Sequence, residues 1–114
     1  MNDDHIDGDR TVWQPIPGGA GSTWSSAVPT DRGDQPYRLA KWRGAPGVYD
    51  RPAGMPWSET FVVYRGQGTV RFSHGSIDLY PGAVVTLNQG EPYVLTIGET
   101  LEKFAVITTL SPPA

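Results

Sequence analysis

The chain lacks cysteine altogether and has only 2 histidines among its 114 residues. Without cysteine there is no disulfide framework and no thiolate chemistry, although this leaves the redox compartment open. Net positive charge is also lacking: the formal net charge is −3, which disfavours nucleic acid and anionic membrane surfaces as partners. No apolar run is long enough for a membrane span, and the acidic start of the chain has no apolar signal region. We therefore expect a cytoplasmic protein with no nucleic-acid or membrane partner.

Helical periodicity is the other missing feature, since no segment keeps it for more than two turns. What the sequence does contain is 14 glycines and 11 prolines, which punctuate short alternating apolar runs. This pattern predicts an all-β, antiparallel fold. The predicted strands are YRLAKWRG, GVYDRP, ETFVVYRG, GTVRFSHG, SIDLYPG, AVVTLNQG, YVLTIG and EKFAVITTL. ETFVVYRG and GTVRFSHG are predicted to form a hairpin that turns at Gly66–Gly68.

The length suits one domain, which we divide into three parts. Residues 1–36 form a partly irregular N-terminal arm, residues 37–110 the barrel and residues 111–114 a short tail. Trp13 and Trp24 are expected to anchor the arm on the barrel or on a second subunit, because large aromatic side chains are seldom left in water.

Two glycine-framed segments carry a resemblance to a known family. In the first, Gly47 is followed after five residues by Ala53, then by Met55, Glu59 and Gly66 at fixed spacings. In the second, Gly82 leads through Asn88 and Gly90 to Tyr93 and Ile97. These spacings resemble the two motifs of the cupins. The final segment, YVLTIGETLEKFAVIT, resembles single-domain cupins of the ureidoglycine aminohydrolase and ethanolamine-utilisation group.

The resemblance implies a double-sheet jelly-roll barrel and the positions of its metal ligands. At those positions this chain has Ala53, Met55, Glu59 and Tyr93, so both motifs lack their histidines. Alanine provides no donor, and a thioether does not suit iron, manganese or zinc. His5 and His74 lie outside the motifs and are interpreted as solvated. We therefore expect no metal and no other cofactor.

Strand alternation then predicts a site around Glu59, with Ala53 and Met55 also pointing inward. A buried carboxylate without a metal is expected to have a raised pKa and to act as a general acid or base. Tyr93 is its predicted catalytic partner. Trp42, Tyr49, Arg51, Met55 and Trp57 are the predicted substrate-binding residues.

Several of these residues have a second interpretation. Glu59 can instead form a rim salt bridge with Arg43, Arg65 or Arg71. Tyr93 and Met55 can be core residues, and Trp57 can close an interface. Asp50, Asp78 and Glu102 are interpreted as solvated.

Three functional hypotheses follow. The first is a metal-independent enzyme of isomerase, cyclase or lyase type that acts on a small organic metabolite. The second is a cupin that binds a small ligand without chemistry, and the third is a barrel filled by its own side chains. The resemblance also implies a homodimer.

Overall fold

The computed structural model describes residues 11–16, 23–33 and 35–108. Regular structure in these ranges consists of strands alone. They are β1 Gln14–Pro15, β2 Thr23–Val28, β3 Arg38–Gly44, β4 Gly47–Arg51, β5 Ser58–Phe72, β6 Gly75–Leu79, β7 Val84–Leu87 and β8 Tyr93–Thr108. Every pairing between them is antiparallel, which confirms the predicted fold class. In this described part of the chain no helix is long and apolar enough to cross a membrane.

Two long strands, β5 and β8, belong to both layers of the barrel. The first half of β5 pairs with β7 and with the second half of β8, which also pairs with β3. The second half of β5 pairs with β6 and with the first half of β8, which also pairs with β4. One layer is therefore β1-β2-β3-β8-β5-β7 and the other is β4-β8-β5-β6.

The bend of β5 lies at Gly66, where the predicted hairpin is wrong. The chain does not reverse there; it continues through irregular pairing between Val63 and Gly68. Gly66 has φ +90°, and a Cβ atom at this position would collide with the carbonyl oxygen of Thr100. A β-bulge at a glycine bends a strand without ending it, and the sequence pattern of such a bulge matches that of a short turn.

The N-terminal part of the chain contributes a strand that we did not predict. All six residues of β2 pair with β3, from Thr23 opposite Gly44 to Val28 opposite Leu39. Trp13 lies 4.5 Å from the guanidinium carbon of Arg43, measured to the ring centroid. The predicted anchoring of Trp13 on the barrel is thus present, whereas residues 1–10, which include His5, and the tail 111–114 lie outside the described residues.

The core lies between the two layers and follows the period-2 alternation of the strands. Its buried side chains are those of Tyr49, Phe61, Val63, Val70, Phe72, Leu79, Ala83, Val85, Leu87, Tyr93, Leu95, Ile97, Leu101, Ala105 and Ile107. Four polar or charged residues are also buried: Thr23, Glu59, Glu102 and Lys103. Burying a charge costs free energy unless the charge is paired, so these residues mark the positions where polar interactions add to apolar packing in the core.

Candidate functional site

A cavity of about 640 Å³ opens at the end of the barrel where β2 and β3 extend the first layer. Ala27, Ala40 and Ala105 lie side by side on β2, β3 and β8. All three line the cavity, because their methyl groups leave room that larger side chains would fill. A cavity of this size is ordinary for a small-molecule site, so the hypothesis of a self-filled barrel does not fit the structure.

All seven predicted site residues line this cavity. They are Trp42, Tyr49, Arg51, Met55, Trp57, Glu59 and Tyr93. Ala53 is the exception among the positions expected to point inward, because it is exposed in the turn that follows β4. The alternation that places Tyr49 and Arg51 inward ends with the strand at Arg51, so it could not be extended to Ala53.

Glu59 is buried in the cavity wall, with 6 % of its surface exposed. Its Oε2 accepts a hydrogen bond from Lys103 Nζ at 2.9 Å, and its Oε1 accepts one from Trp57 Nε1 at 3.0 Å. The alternative partners Arg43, Arg65 and Arg71 are therefore not the ones it uses. Each carboxylate oxygen retains lone-pair capacity for a further hydrogen bond.

The expectation of a raised pKa for Glu59 is wrong. Burial on its own raises the pKa of this carboxyl group, but the charge of Lys103 and the hydrogen bonds from Lys103 and Trp57 outweigh it. The net pKa of Glu59 lies below its usual value. At neutral pH the Glu59 side chain is therefore an ionised carboxylate, which can act as a proton acceptor but has no proton to donate.

Lys103 is the site residue that the sequence analysis missed. Its ammonium lies 4.1 Å from the ring centroid of Phe61 and 5.1 Å from that of Trp42. A signal was present: Lys103 shares its parity with Leu101 and Ala105, which are both buried. A lysine on the apolar face of a strand requires a buried partner, and Glu59 on the paired strand provides it.

Tyr93 stands opposite Arg51 in the pairing of β8 with β4. Burial raises the pKa of the Tyr93 phenol, the charge of Glu59 raises it further, and the charge and hydrogen bond of Arg51 oppose this. The net pKa of Tyr93 lies above its usual value, so the phenol keeps its proton at neutral pH. Because arginine only donates, any interaction of Arg51 with the Tyr93 oxygen leaves the proton of the phenol available for donation to another group.

The aromatic side chains of Tyr49, Trp42 and Trp57 form much of the remaining cavity wall. Tyr49 is 1 % exposed, and its hydroxyl donates to the Ala45 carbonyl oxygen at 2.6 Å. The Tyr49 proton is therefore already used in this bond, and it is the ring that contributes to the cavity wall. The Tyr49 ring meets Trp42 edge-on, with centroids 6.0 Å apart. On the other side, the Arg38 guanidinium lies 5.4 Å from the centroid of Trp57.

Glu102 lies on the opposite face of β8 from Lys103, and its predicted solvation is wrong. Its side chain is 2 % exposed, and its Oε2 accepts hydrogen bonds from Arg43 Nε at 2.8 Å and Arg65 at 3.4 Å. Both arginines stand directly opposite Glu102 on the neighbouring strands. The predicted solvation of Asp50, Asp78 and His74 agrees with their exposed positions.

No family model and no curated protein matches this sequence, but solved structures match the fold. A cupin 2 conserved barrel domain protein from Rhodopseudomonas palustris matches with a TM-score of 0.71 at 12 % identity, covering 92 % of this chain and 76 % of that one. The chain has the cupin fold. A candidate ethanolamine utilization protein Q from Salmonella typhimurium matches with a TM-score of 0.73 at 11 % identity, covering 87 % and 80 % of the two chains. The polyketide cyclase RemF from Streptomyces resistomycificus gives 0.70 at 20 % identity, covering 99 % and 82 %.

The cupin resemblance implies a metal centre, and the donors of this chain do not fit one. Of the four ligand positions, Ala53 is exposed and has no donor, and Met55 provides a thioether. One oxygen of Glu59 already holds the Lys103 ammonium. No group of three or more histidine, cysteine, aspartate or glutamate side chains that could hold a metal ion occurs among the described residues. In this chain, the cation beside Glu59 is the ammonium group of Lys103.

Proposed function

We propose that the protein is a metal-independent enzyme of isomerase, cyclase or lyase type, in which Glu59 moves a proton of a small organic substrate. The observation that carries this proposal is the buried pair of Glu59 and Lys103 in the wall of an apolar cavity. The pair places a proton acceptor and a fixed positive charge side by side, away from bulk water.

This arrangement suits abstraction of a proton next to a carbonyl group. The Glu59 carboxylate takes the proton from carbon, and the electron pair of the broken C–H bond moves to the carbonyl oxygen. Lys103 and the protonated Tyr93 are the donors that would stabilise the resulting enolate. The lowered pKa makes Glu59 a weaker base. Stabilisation of the enolate would compensate for this, because the negative charge that develops on the carbonyl oxygen has preformed donors beside it.

The fate of the enolate defines the reaction type. Return of the proton to another atom gives isomerisation, attack of the enolate carbon on a second carbonyl gives ring closure, and departure of a β-substituent gives elimination. The polyketide cyclase among the structural neighbours supports ring closure as one member of this class. Its 20 % identity supports the fold and not a shared substrate.

Exchange of carbon-bound protons in D₂O tests the proposal without knowledge of the natural substrate. We expect the wild-type protein to accelerate deuterium incorporation into phenylacetone or phenylpyruvate, followed by NMR. Glu59→Gln should lower the enzyme-dependent rate by about 10²–10⁴-fold, the usual contribution of a general base. Asp78→Asn, at an exposed position, is the matched control and should keep the wild-type rate. If the Glu59→Gln protein exchanged deuterium at the wild-type rate, the proton-transfer role would be disproved.

A binding cupin without chemistry is the second candidate. The observation that favours it is the satisfied state of Glu59, whose two oxygens each already accept a hydrogen bond. In that case ligands would raise the melting temperature, as binding to the native state requires, while no deuterium enters them. Narrowing the cavity by Ala40→Leu should weaken the stabilisation under either candidate function.

A further inference from the structure

The charges around the cavity do not balance. Glu59 and Lys103 neutralise each other. Arg38 and Arg51 remain, and both also line the cavity. Lys41 lies at its edge but directs its Nζ to Thr11 Oγ1 at 2.7 Å. Among the described residues that line it, the cavity thus has an excess of positive charge, whereas the whole chain has a formal net charge of −3.

Arg51 is the more deeply placed of the two surplus cations. It is half-buried, stands opposite Tyr93 in the β4–β8 pairing and lies close enough to Tyr93 and Tyr49 to lower the pKa of each phenol, against the larger effect of burial. Asp50, its neighbour in sequence, is exposed on the other face of β4. No carboxylate of the described residues forms an ion pair with Arg51.

A half-buried guanidinium without an acidic partner favours an anionic ligand. Arginine has five N–H donors in a planar fork, so Arg51 keeps donors for a ligand even where one of them interacts with Tyr93. The remaining donors match the two oxygens of a carboxylate. The Tyr93 phenol, which keeps its proton, lies beside this fork and can donate to the same anion.

The rest of the wall defines the body of the ligand. Trp42, Trp57 and Met55 are partly buried and pack against the core around the cavity. The small side chains of Ala27, Ala40 and Ala105 leave room in the same wall, where Trp42 follows Ala40 on the same face of β3. Aromatic walls and a flexible thioether favour a flat, conjugated molecule.

We propose that the cavity binds an aromatic carboxylate, with its carboxylate on Arg51 and Tyr93 and its ring between Trp42 and Trp57. The proposal rests on the proposed function only in taking this cavity as the ligand site. It does not depend on proton transfer by Glu59.

Isothermal titration calorimetry with 2-naphthoate and 2-naphthamide tests this, because the two probes share size and shape and differ in charge. The wild-type protein should bind 2-naphthoate about ten- to a hundredfold more tightly, the difference that charge-assisted hydrogen bonds provide. Arg51→Met should abolish this preference by weakening 2-naphthoate binding much more than 2-naphthamide binding, and Arg51→Lys should keep part of it. If Arg51→Met does not fold, Arg51→Lys and the salt dependence of the wild-type preference give the result.

Equal binding of the two probes would overturn the proposal, as would a preference that survives in Arg51→Met or the failure of both probes to bind. Glu59→Gln separates this inference from the proposed function. If that variant keeps the preference for 2-naphthoate and also keeps full exchange activity, the proton-transfer role fails and the anion site stands. If the preference is absent while Glu59→Gln abolishes exchange, the anion site fails and the proton-transfer role stands.

Discussion

Removing the Lys103 ammonium should leave the buried Glu59 carboxylate without its cation and so lower the stability of the folded protein. In Lys103→Met the carboxylate keeps its burial and the hydrogen bond from Trp57 but loses its cation. Breaking a buried pair by removing one partner typically costs about 3–5 kcal/mol. For a domain of this size we expect the melting temperature at pH 7 to fall by about 12–20 °C.

The pH dependence distinguishes lost charge pairing from lost packing. In the wild type the lowered pKa of Glu59 adds stability above the usual carboxyl pKa, and this stability is lost as the pH falls through the folded value. In Lys103→Met the burial of Glu59 is opposed only by the Trp57 hydrogen bond, so its folded pKa should lie above the usual value. The Glu59 side chain should then make the variant less stable as the pH rises. The difference in unfolding free energy between the variant and the wild type should therefore be smaller at pH 4 than at pH 7.

Urea unfolding at the two pH values measures this deficit without added salt, which would screen the charges. Glu59→Gln/Lys103→Met is the matched control, because replacing both charges leaves no unpaired ion. The double variant should be more stable than Lys103→Met at pH 7. The reasoning fails if Lys103→Met loses less than about 1 kcal/mol at pH 7, the range of exposed pairs. It also fails if the deficit is the same at pH 4 or if the double variant is no more stable.

Three further predictions concern the frame of the barrel and its assembly. Glu102→Gln should lower the free energy of unfolding by about 3 kcal/mol in urea titrations, because two arginines lose their buried counter-charge, whereas exposed Asp78→Asn should not change it. Gly66→Ala should lower the melting temperature clearly more than Gly90→Ala. Both glycines have positive φ, which alone costs about 1–2 kcal/mol, but only at Gly66 would the new Cβ atom also collide with backbone atoms. Light scattering after size exclusion should show a homodimer, which would cover apolar side chains on the outer sheet face such as Val84, 63 % exposed; a monomer at all concentrations would contradict this.

The strand pattern predicted the fold class because alternation is a local property of the chain. Parity within the strands accounts for the inward side chains of Trp42, Tyr49, Arg51, Glu59 and Tyr93, whereas Met55 and Trp57 line the cavity from the segment between β4 and β5. The lengths of β5 and β8 could not be predicted in the same way. β5 contains Gly66 and Gly68 and β8 contains Gly98, glycines that a sequence pattern assigns to turns, and only pairing with a long partner keeps such a strand continuous. The functional roles of the seven residues, the homodimer and the cytoplasmic location remain predictions.

Glu102 and Lys103 show why the charge partners were beyond sequence reasoning. The two residues are adjacent on β8 and point to opposite faces, yet both are buried. Which residue neutralises each one depends on the register of β5, and the first of three shifts in that register lies between Val63 and Arg65. Val63 stands opposite Lys103, but Arg65 and not Tyr64 stands opposite Glu102. A regular ladder would have put Tyr64 there, so the bulge that bends the barrel also brings Arg65 to Glu102. The same irregularity thus shapes the fold and completes the Arg43–Glu102–Arg65 cluster on the outer face, while Lys103 pairs with Glu59 in the cavity.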